Sequence, residues 1–187
     1  TRAAWNLLAQ SDAVITFNGV RFDLPVLMWE FVKLDLPPTA PHRDIDLIKT
    51  VRRMRPFSRS LKHVTTELLP DGDGKIDSGG HTTWQGCMDG DPQAQRLMRR
   101  YCRQDVRATE QLYFRLMPWI KHHPSPLLYT ATLDEQACGI CGHDRLDRDG
   151  WHTTATRRYA LFRCRRCRGH SKARGADPVV NPDLRAV

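Results

Sequence analysis

The chain has 187 residues, enough for one medium domain and a small appendage. No window approaches the roughly 18 consecutive apolar residues of a membrane-spanning helix, and no secretion signal is visible, which excludes a membrane partner by this route. The net charge of +8 is unevenly placed: residues 1–137 carry 18 Lys/Arg against 16 Asp/Glu, residues 138–175 carry 10 against 3, and residues 176–187 carry 1 against 2.

In chain order, residues 1–10 read as the end of a helix. Ala13 to Phe17 is a short, β-rich apolar run, a buried strand closed by the turn pair Asn18-Gly19. Phe22 to Leu34 carries apolar residues at helical spacing, with Pro25 in the first turn, where it is tolerated. Pro37-Pro38 stops that helix. Asp44 to Leu47 predicts a second strand running into a helix through Val51. Ser60 is an N-cap for a helix over Leu61–Leu69. Asp71 to Gly90, rich in Gly and Asp, predicts a loop. Asp91-Pro92 opens the longest helix, expected to reach about Ile120, with Pro118 shortening or kinking its end. Residues 121–137 read as a linker and residues 176–187 as a loose tail.

The last quarter holds the clearest motif. Cys138-x2-Cys141 and Cys164-x2-Cys167 are separated by 22 residues. Each Cys-x-x-Cys knuckle places two thiolates on one tetrahedral ion, the geometry zinc favours with sulfur. The intervening length suits a β-hairpin, with Tyr159 to Phe162 as strand material. Gly142 and Gly169 supply the tight turns. Such a module is too small to bury a core unaided, so a structural Zn²⁺ supplies much of its folding energy. The remaining Cys87 and Cys102 are expected as small buried hydrophobes in a reducing cytoplasm. Arg157, Arg158, Arg163, Arg165 and Arg166, interleaved with Trp151, Tyr159 and Phe162, suit phosphate contact and base stacking. Packing of the ribbon's own core is an equally good reading of Tyr159 and Phe162.

Two features of the larger part carry chemistry. Asp23 follows a buried strand at the start of a helix. Tyr101 and Asp105 stand at i and i+4, on one helical face. Hard divalent cations take carboxylate ligands, and a phenol beside a metal-bound water can orient it. A cap and a half-buried polar face are the ordinary readings of these residues taken singly.

Together, Asn18-Gly19-x-x-Phe22-Asp23-x-Pro25 resembles the second motif of the DEDD, or DnaQ-like, 3′–5′ exonucleases, and Tyr101-x3-Asp105 resembles the third motif in its DEDDy form. Asp44-Ile-Asp46-Leu47 and Ser60-Leu61 resemble the family's intervening strand and helix. The resemblance covers residues 1–120. It implies an α/β, ribonuclease H-like fold with two-metal phosphodiester hydrolysis, Asp23 and Asp105 binding Mg²⁺ or Mn²⁺, Tyr101 positioning water, and Asn18 and Phe22 contacting substrate. The family's first motif, Asp-x-Glu on an early strand, does not occur before Asp23. The expectation is therefore an incomplete domain with its first strands missing, N-terminally truncated, followed by a zinc ribbon over 138–175. Asp46 reads as structural. Three functions remain open: a DNA-directed exonuclease whose ribbon helps hold substrate, an inactive nucleic-acid-binding scaffold, and a ribbon that recruits a polymerase or replisome protein. The implied setting is the cytoplasm of a bacterial or phage-infected cell.

Overall fold

The computed structural model describes residues 1–70, 79–129 and 136–177. The chain divides into two units, Thr1–Leu116 and Met117–Val187.

In the first unit, α1 (Arg2–Ala9) precedes β1 (Ala13–Thr16), which pairs in parallel with β2 (Arg43–Asp46). Parallel neighbours need a crossover, and α2 (Asp23–Lys33) lies within it. Leu24 and Phe31 form the buried side of α2. The Trp5 indole N–H donates to the Pro37 carbonyl at 2.7 Å, tying α1 to the return segment. β2 runs directly into α3 (Leu47–Met54), because the Asp46 carboxylate caps the new helix through the Ile48 N–H. Leu47, Ile48 and Val51 then face the core. Ser60 caps α4 (Leu61–Leu68) by accepting from the His63 N–H at 3.2 Å.

The loop expected over Asp71–Gly90 is corrected in its second half. Residues 71–78 lie outside the described residues, and Gly80–Met88 forms α5. Gly80, Thr82, Thr83 and Gly86 are weak helix formers, so local propensity conceals this helix. Packing on α6 (Pro92–Leu116) supports it. A Cβ at Gly86 would stand 2.8 Å from the Ala94 Cβ, so the glycine permits the close approach. Asp91 caps α6, accepting from the Gln93 N–H at 2.8 Å and the Ala94 N–H at 3.3 Å. The helix ends at Leu116, short of the expected Ile120, and a 3₁₀ turn over Met117–Trp119 follows. Pro118 has no N–H to extend the α-helical ladder. Ala94, Ala108, Leu112 and Leu116 are the buried positions of α6. Cys87 and Cys102 are not core residues: Cys87 is half-buried and Cys102 exposed. They line a shallow cavity of about 520 Å³ with Gln95, Met98, Arg99 and Arg103.

The second unit contains a 3₁₀ turn at Pro126–Tyr129 and a three-stranded antiparallel sheet of β3 (Leu146–Thr153), β4 (Arg158–Cys164) and β5 (His170–Lys172). The β3–β4 register shifts between Arg148 and Trp151. Thr154 and Arg157 close the hairpin turn through their backbones. Among the described residues of this unit, the buried apolar positions are Met117, Cys138 and Cys164. Of the expected tail, 178–187 lies outside the described residues. No helix among the described residues is long and apolar enough to cross a membrane.

Candidate functional site

The first candidate site is built at the carboxyl end of β1. Asn18 adopts a left-handed conformation, φ 68°, which Asn tolerates better than most residues. Its N–H donates to the Asp46 carboxylate at 2.6 Å. Asp46 is buried and also accepts from the Ile48 N–H at 3.3 Å. One carboxylate thus fixes the turn after β1 and caps the helix after β2.

Gly19 contributes space here. A Cβ on it would stand 2.7 Å from the Thr16 Cβ and 3.1 Å from Asp23 Oδ2. The turn therefore brings the Asp23 carboxylate close over Gly19, in the first turn of α2. Asp23 and Phe22 are both exposed. The buried Thr16 Oγ1 and Asn18 Oδ1 have no hydrogen-bond partner among the described residues, so this strand end carries polar capacity that those residues leave unused.

Tyr101 and Asp105 are half-buried, one turn apart, on a stripe of α6 that includes Ala94, Leu97, Met98, Ala108 and Leu112. α6 packs against β1. The opposite side of α6 presents Arg96, Arg100, Arg103 and Arg107, all exposed. Averaging charge over residues 1–137 hid this stripe; its spacing of four, three and four shows it.

In the second unit, Cys138, Cys141, Cys164 and Cys167 place their sulfurs within 4.8 Å of one another. Cys138 Sγ lies 3.6 Å from Cys167 Sγ, and Cys141 Sγ lies 3.6 Å from Cys164 Sγ. Sulfurs 2.3 Å from a tetrahedral ion stand about 3.8 Å apart, so the cage fits a tetrahedral thiolate site. Burial pushes the Cys141 and Cys167 thiols up from their ordinary value, and the neighbouring Cys138 adds to both. Burial also opposes ionisation of Cys164, but the backbone N–H groups of Cys167 and Arg166 outweigh it, and that thiol is held down. A cation at the centre favours all four thiolates.

Gly142 takes the left-handed turn of the first knuckle, φ 72°. At the second knuckle the expectation for Gly169 is corrected: Arg168 carries the positive φ, 61°. Gly169 fits tightly beside it: a Cβ there would lie 2.5 Å from Ile140 Cδ1, so the Ile140 side chain would have to move.

The ribbon arginines do not act alike. Arg165 makes a forked pair with Asp147, at 2.6 to 3.1 Å. Arg163 and His170 share Asp149, at 3.0 and 2.8 Å. Arg158 pairs with Asp177 at 2.6 Å. The Arg165 hydrogen bond holds the Asp147 carboxyl below its ordinary value, and the His170 hydrogen bond does so for Asp149, with Arg163 adding to it. Arg157, at the hairpin turn, and Arg166, inside the second knuckle, are exposed.

Among the described residues, the four cysteines are the one group of three or more His, Cys, Asp or Glu whose ligand atoms gather within 4.8 Å. Asp23, Asp46 and Asp105 do not assemble into such a group.

A β–α–β unit with carboxylates beyond its strand ends and on a packed helix defines an α/β domain of the kind that binds ligands at the carboxyl edge of its sheet. A family model described as RNase_H_2, of the RNase_H superfamily, matches residues 1–117. The chain belongs to this family, and its larger unit is ribonuclease H-like. No curated protein and no solved structure gives a significant match.

Proposed function

We propose that the chain is a nuclease domain of the DEDDy, DnaQ-like kind, which removes nucleotides from the 3′ end of a nucleic acid, with DNA as the expected substrate and the ribbon helping to hold it. The observation that carries this reading is the pair Tyr101 and Asp105. Both are polar groups on the packed stripe of α6, where a helix ordinarily places apolar side chains. α6 in turn packs against the strand that leads to Asp23.

Asp23 and Asp105 are oxygen donors of the type Mg²⁺ and Mn²⁺ take. Such ions are commonly held by one or two carboxylates together with water and substrate phosphate oxygens. Bound there, the ions supply charge stabilisation for the attacking and leaving oxygens. Tyr101 orients the water for in-line attack. Asn18, held by Asp46, shapes the turn beside the terminal nucleotide, and exposed Phe22 offers a ring for base contact. In the ribbon, Zn²⁺ is the ion whose size and sulfur preference match the cysteine cage.

A specific observation favours a second reading, a nucleic-acid-binding scaffold without catalysis: the described carboxylates form no three-ligand cluster. One experiment separates the two. The chain and its Asp105→Ala variant are incubated with 5′-labelled single-stranded DNA and Mn²⁺. Stepwise shortening that the substitution abolishes supports the nuclease. Retained binding without shortening supports the scaffold. Shortening that survives Asp105→Ala removes the assigned site.

A further inference from the structure

The two faces of the ribbon sheet differ in chemistry. Side chains alternate along a strand. On β4 this sets Arg158, Ala160 and Phe162 on one face, and Tyr159, Leu161 and Arg163 on the other. The register adds Arg148 and Trp151 of β3 to the first face, and Asp147 of β3 and His170 and Lys172 of β5 to the second, where the Lys172 ammonium lies 4.5 Å from the Tyr159 ring centroid.

On the second face the arginines are already engaged. Its Arg163 and the neighbouring Arg165 are held by Asp149 and Asp147. A phosphate there must compete with carboxylates already in place. The first face is organised around aromatic rings. The Arg148 guanidinium lies 4.2 Å from the Trp151 ring centroid and 5.6 Å from that of Phe162, and the Arg158 guanidinium lies 3.8 Å from Trp151. Among the described residues, the carboxylate that pairs with this face is Asp177, on Arg158. Trp151 remains 45 % exposed in spite of both cations.

Beside this array is a cavity of about 620 Å³. Its apolar lining includes Leu127, Leu146, Ala160 and Phe162, and Lys172 and Arg174 stand among its polar residues. That size is within the range of sites for small organic groups. An apolar slot with cations beside it matches a base joined to phosphates. A base can enter such a slot only when it is unpaired and unstacked.

We propose that the Arg148–Trp151–Phe162 face of the ribbon is a single-strand nucleic-acid site: the adjoining cavity takes one unpaired base, the guanidinium–indole array stacks its neighbour, and Arg174 at the cavity meets the phosphate. This rests on the reading of the ribbon as a substrate-holding module, and it reassigns the contacts from Arg163 and Arg165 to the opposite face.

The test is fluorescence anisotropy with the full chain, zinc content being checked for every variant. The probes are a labelled oligothymidylate and a labelled blunt duplex. Trp151→Ala is expected to weaken single-strand binding roughly tenfold or more, the scale of one lost stacking contact. Trp151→Phe restores most of it. Arg174→Glu weakens binding and lowers its salt dependence. Arg165→Gln leaves affinity within about twofold, since its guanidinium is already engaged and its pair exposed. If Trp151→Ala binds like the unaltered chain, or Arg165→Gln is the damaging variant, the face is wrongly assigned. Tighter binding of the duplex than of the single strand overturns the base-in-cavity assignment. If the unaltered chain binds neither probe, the substrate-holding role itself fails.

Discussion

The two units of this chain solve the same problem with different physics. Thr1–Leu116 buries Leu24, Phe31, Ile45, Leu47, Ile48, Val51, Val64, Leu112 and Leu116. Its polar exceptions, such as Asp46, earn their burial through backbone hydrogen bonds. Among the described residues of Met117–Val187, the buried apolar positions are Met117 and two of the four clustered cysteines: Cys138 is 0 % exposed and Cys164 is 1 % exposed. What surrounds them is a sheet with the Arg163 and Arg165 ion pairs on one face and the guanidinium–Trp151 contacts on the other. A unit with an apolar core loses stability by degrees as methylenes are removed. A unit centred on four sulfurs is expected to fail all at once.

The largest effect therefore belongs to the ribbon. Cys164→Ser removes one of the four ligands, and apparent metal-binding free energies of structural zinc sites are on the order of 10–16 kcal/mol. The expected outcome is loss of about one equivalent of zinc, with proteolytic susceptibility appearing in residues 136–177 while residues 1–116 stay protected. Metal analysis with limited proteolysis checks it. A variant that keeps its zinc and its protection shows that the cage is not the ribbon's core.

Leu112→Ala is the counterpart in the first unit. Leu112 is 0 % exposed, so a cavity and lost burial together cost about 2–5 kcal/mol. Urea unfolding followed by tryptophan fluorescence reads the shift, and zinc content is expected to be unchanged. Release of zinc from this variant breaks the comparison, because it makes the ribbon's fold depend on the other unit's core.

Asp46 tests how far a polar group substitutes for apolar contact inside that core. Asp46→Ala leaves the Asn18 and Ile48 N–H groups without their acceptor, for about 1–3 kcal/mol. Asp46→Asn retains a capping oxygen and recovers part of the loss. If the alanine variant unfolds like the unaltered chain, the carboxylate does not hold the Asn18 turn, and Asp23 and Asn18 need another explanation for their placement.

The parts legible in the sequence were those fixed by near neighbours. Asp91-Pro92 and Ser60 mark helix starts because a cap acts over two or three residues. The cysteine knuckles were legible because two ligands three positions apart reach one ion. The α5 helix was not, since its reason for existing is Ala94 of α6 against Gly86. The division of labour among the ribbon arginines was equally hidden. Asp147 lies opposite Arg163 in the register yet pairs with Arg165, while Arg163 reaches Asp149 across the register shift. A charge count adds these residues together; only the register separates them. Asn18, Asp23, Tyr101 and Asp105 are candidates that the motif resemblance singles out, while the hydrogen bond from Asn18 to the buried Asp46 is a contact across 28 positions.

The smallest effect concerns the exposed pair Arg165–Asp147. The guanidinium depresses the Asp147 carboxyl pKa through its hydrogen bond. A carboxylate depressed in the folded state contributes stability that is present above its unfolded pKa and lost as pH falls through the folded value. Solvent screening keeps that contribution small. Arg165→Gln is expected to return the Asp147 carboxyl to the ordinary carboxylate range, measured by its carbon chemical shift during an acid titration. At neutral pH the variant's ribbon should show only a slight rise in amide exchange over the unaltered chain, and that difference should vanish in acid, where Asp147 is protonated in both. A large exchange difference that persists in acid means that the Arg165 stem packs as part of a ribbon core. The contrast between a unit held by apolar burial and one held by ligands and charge would then lose its sharpest edge.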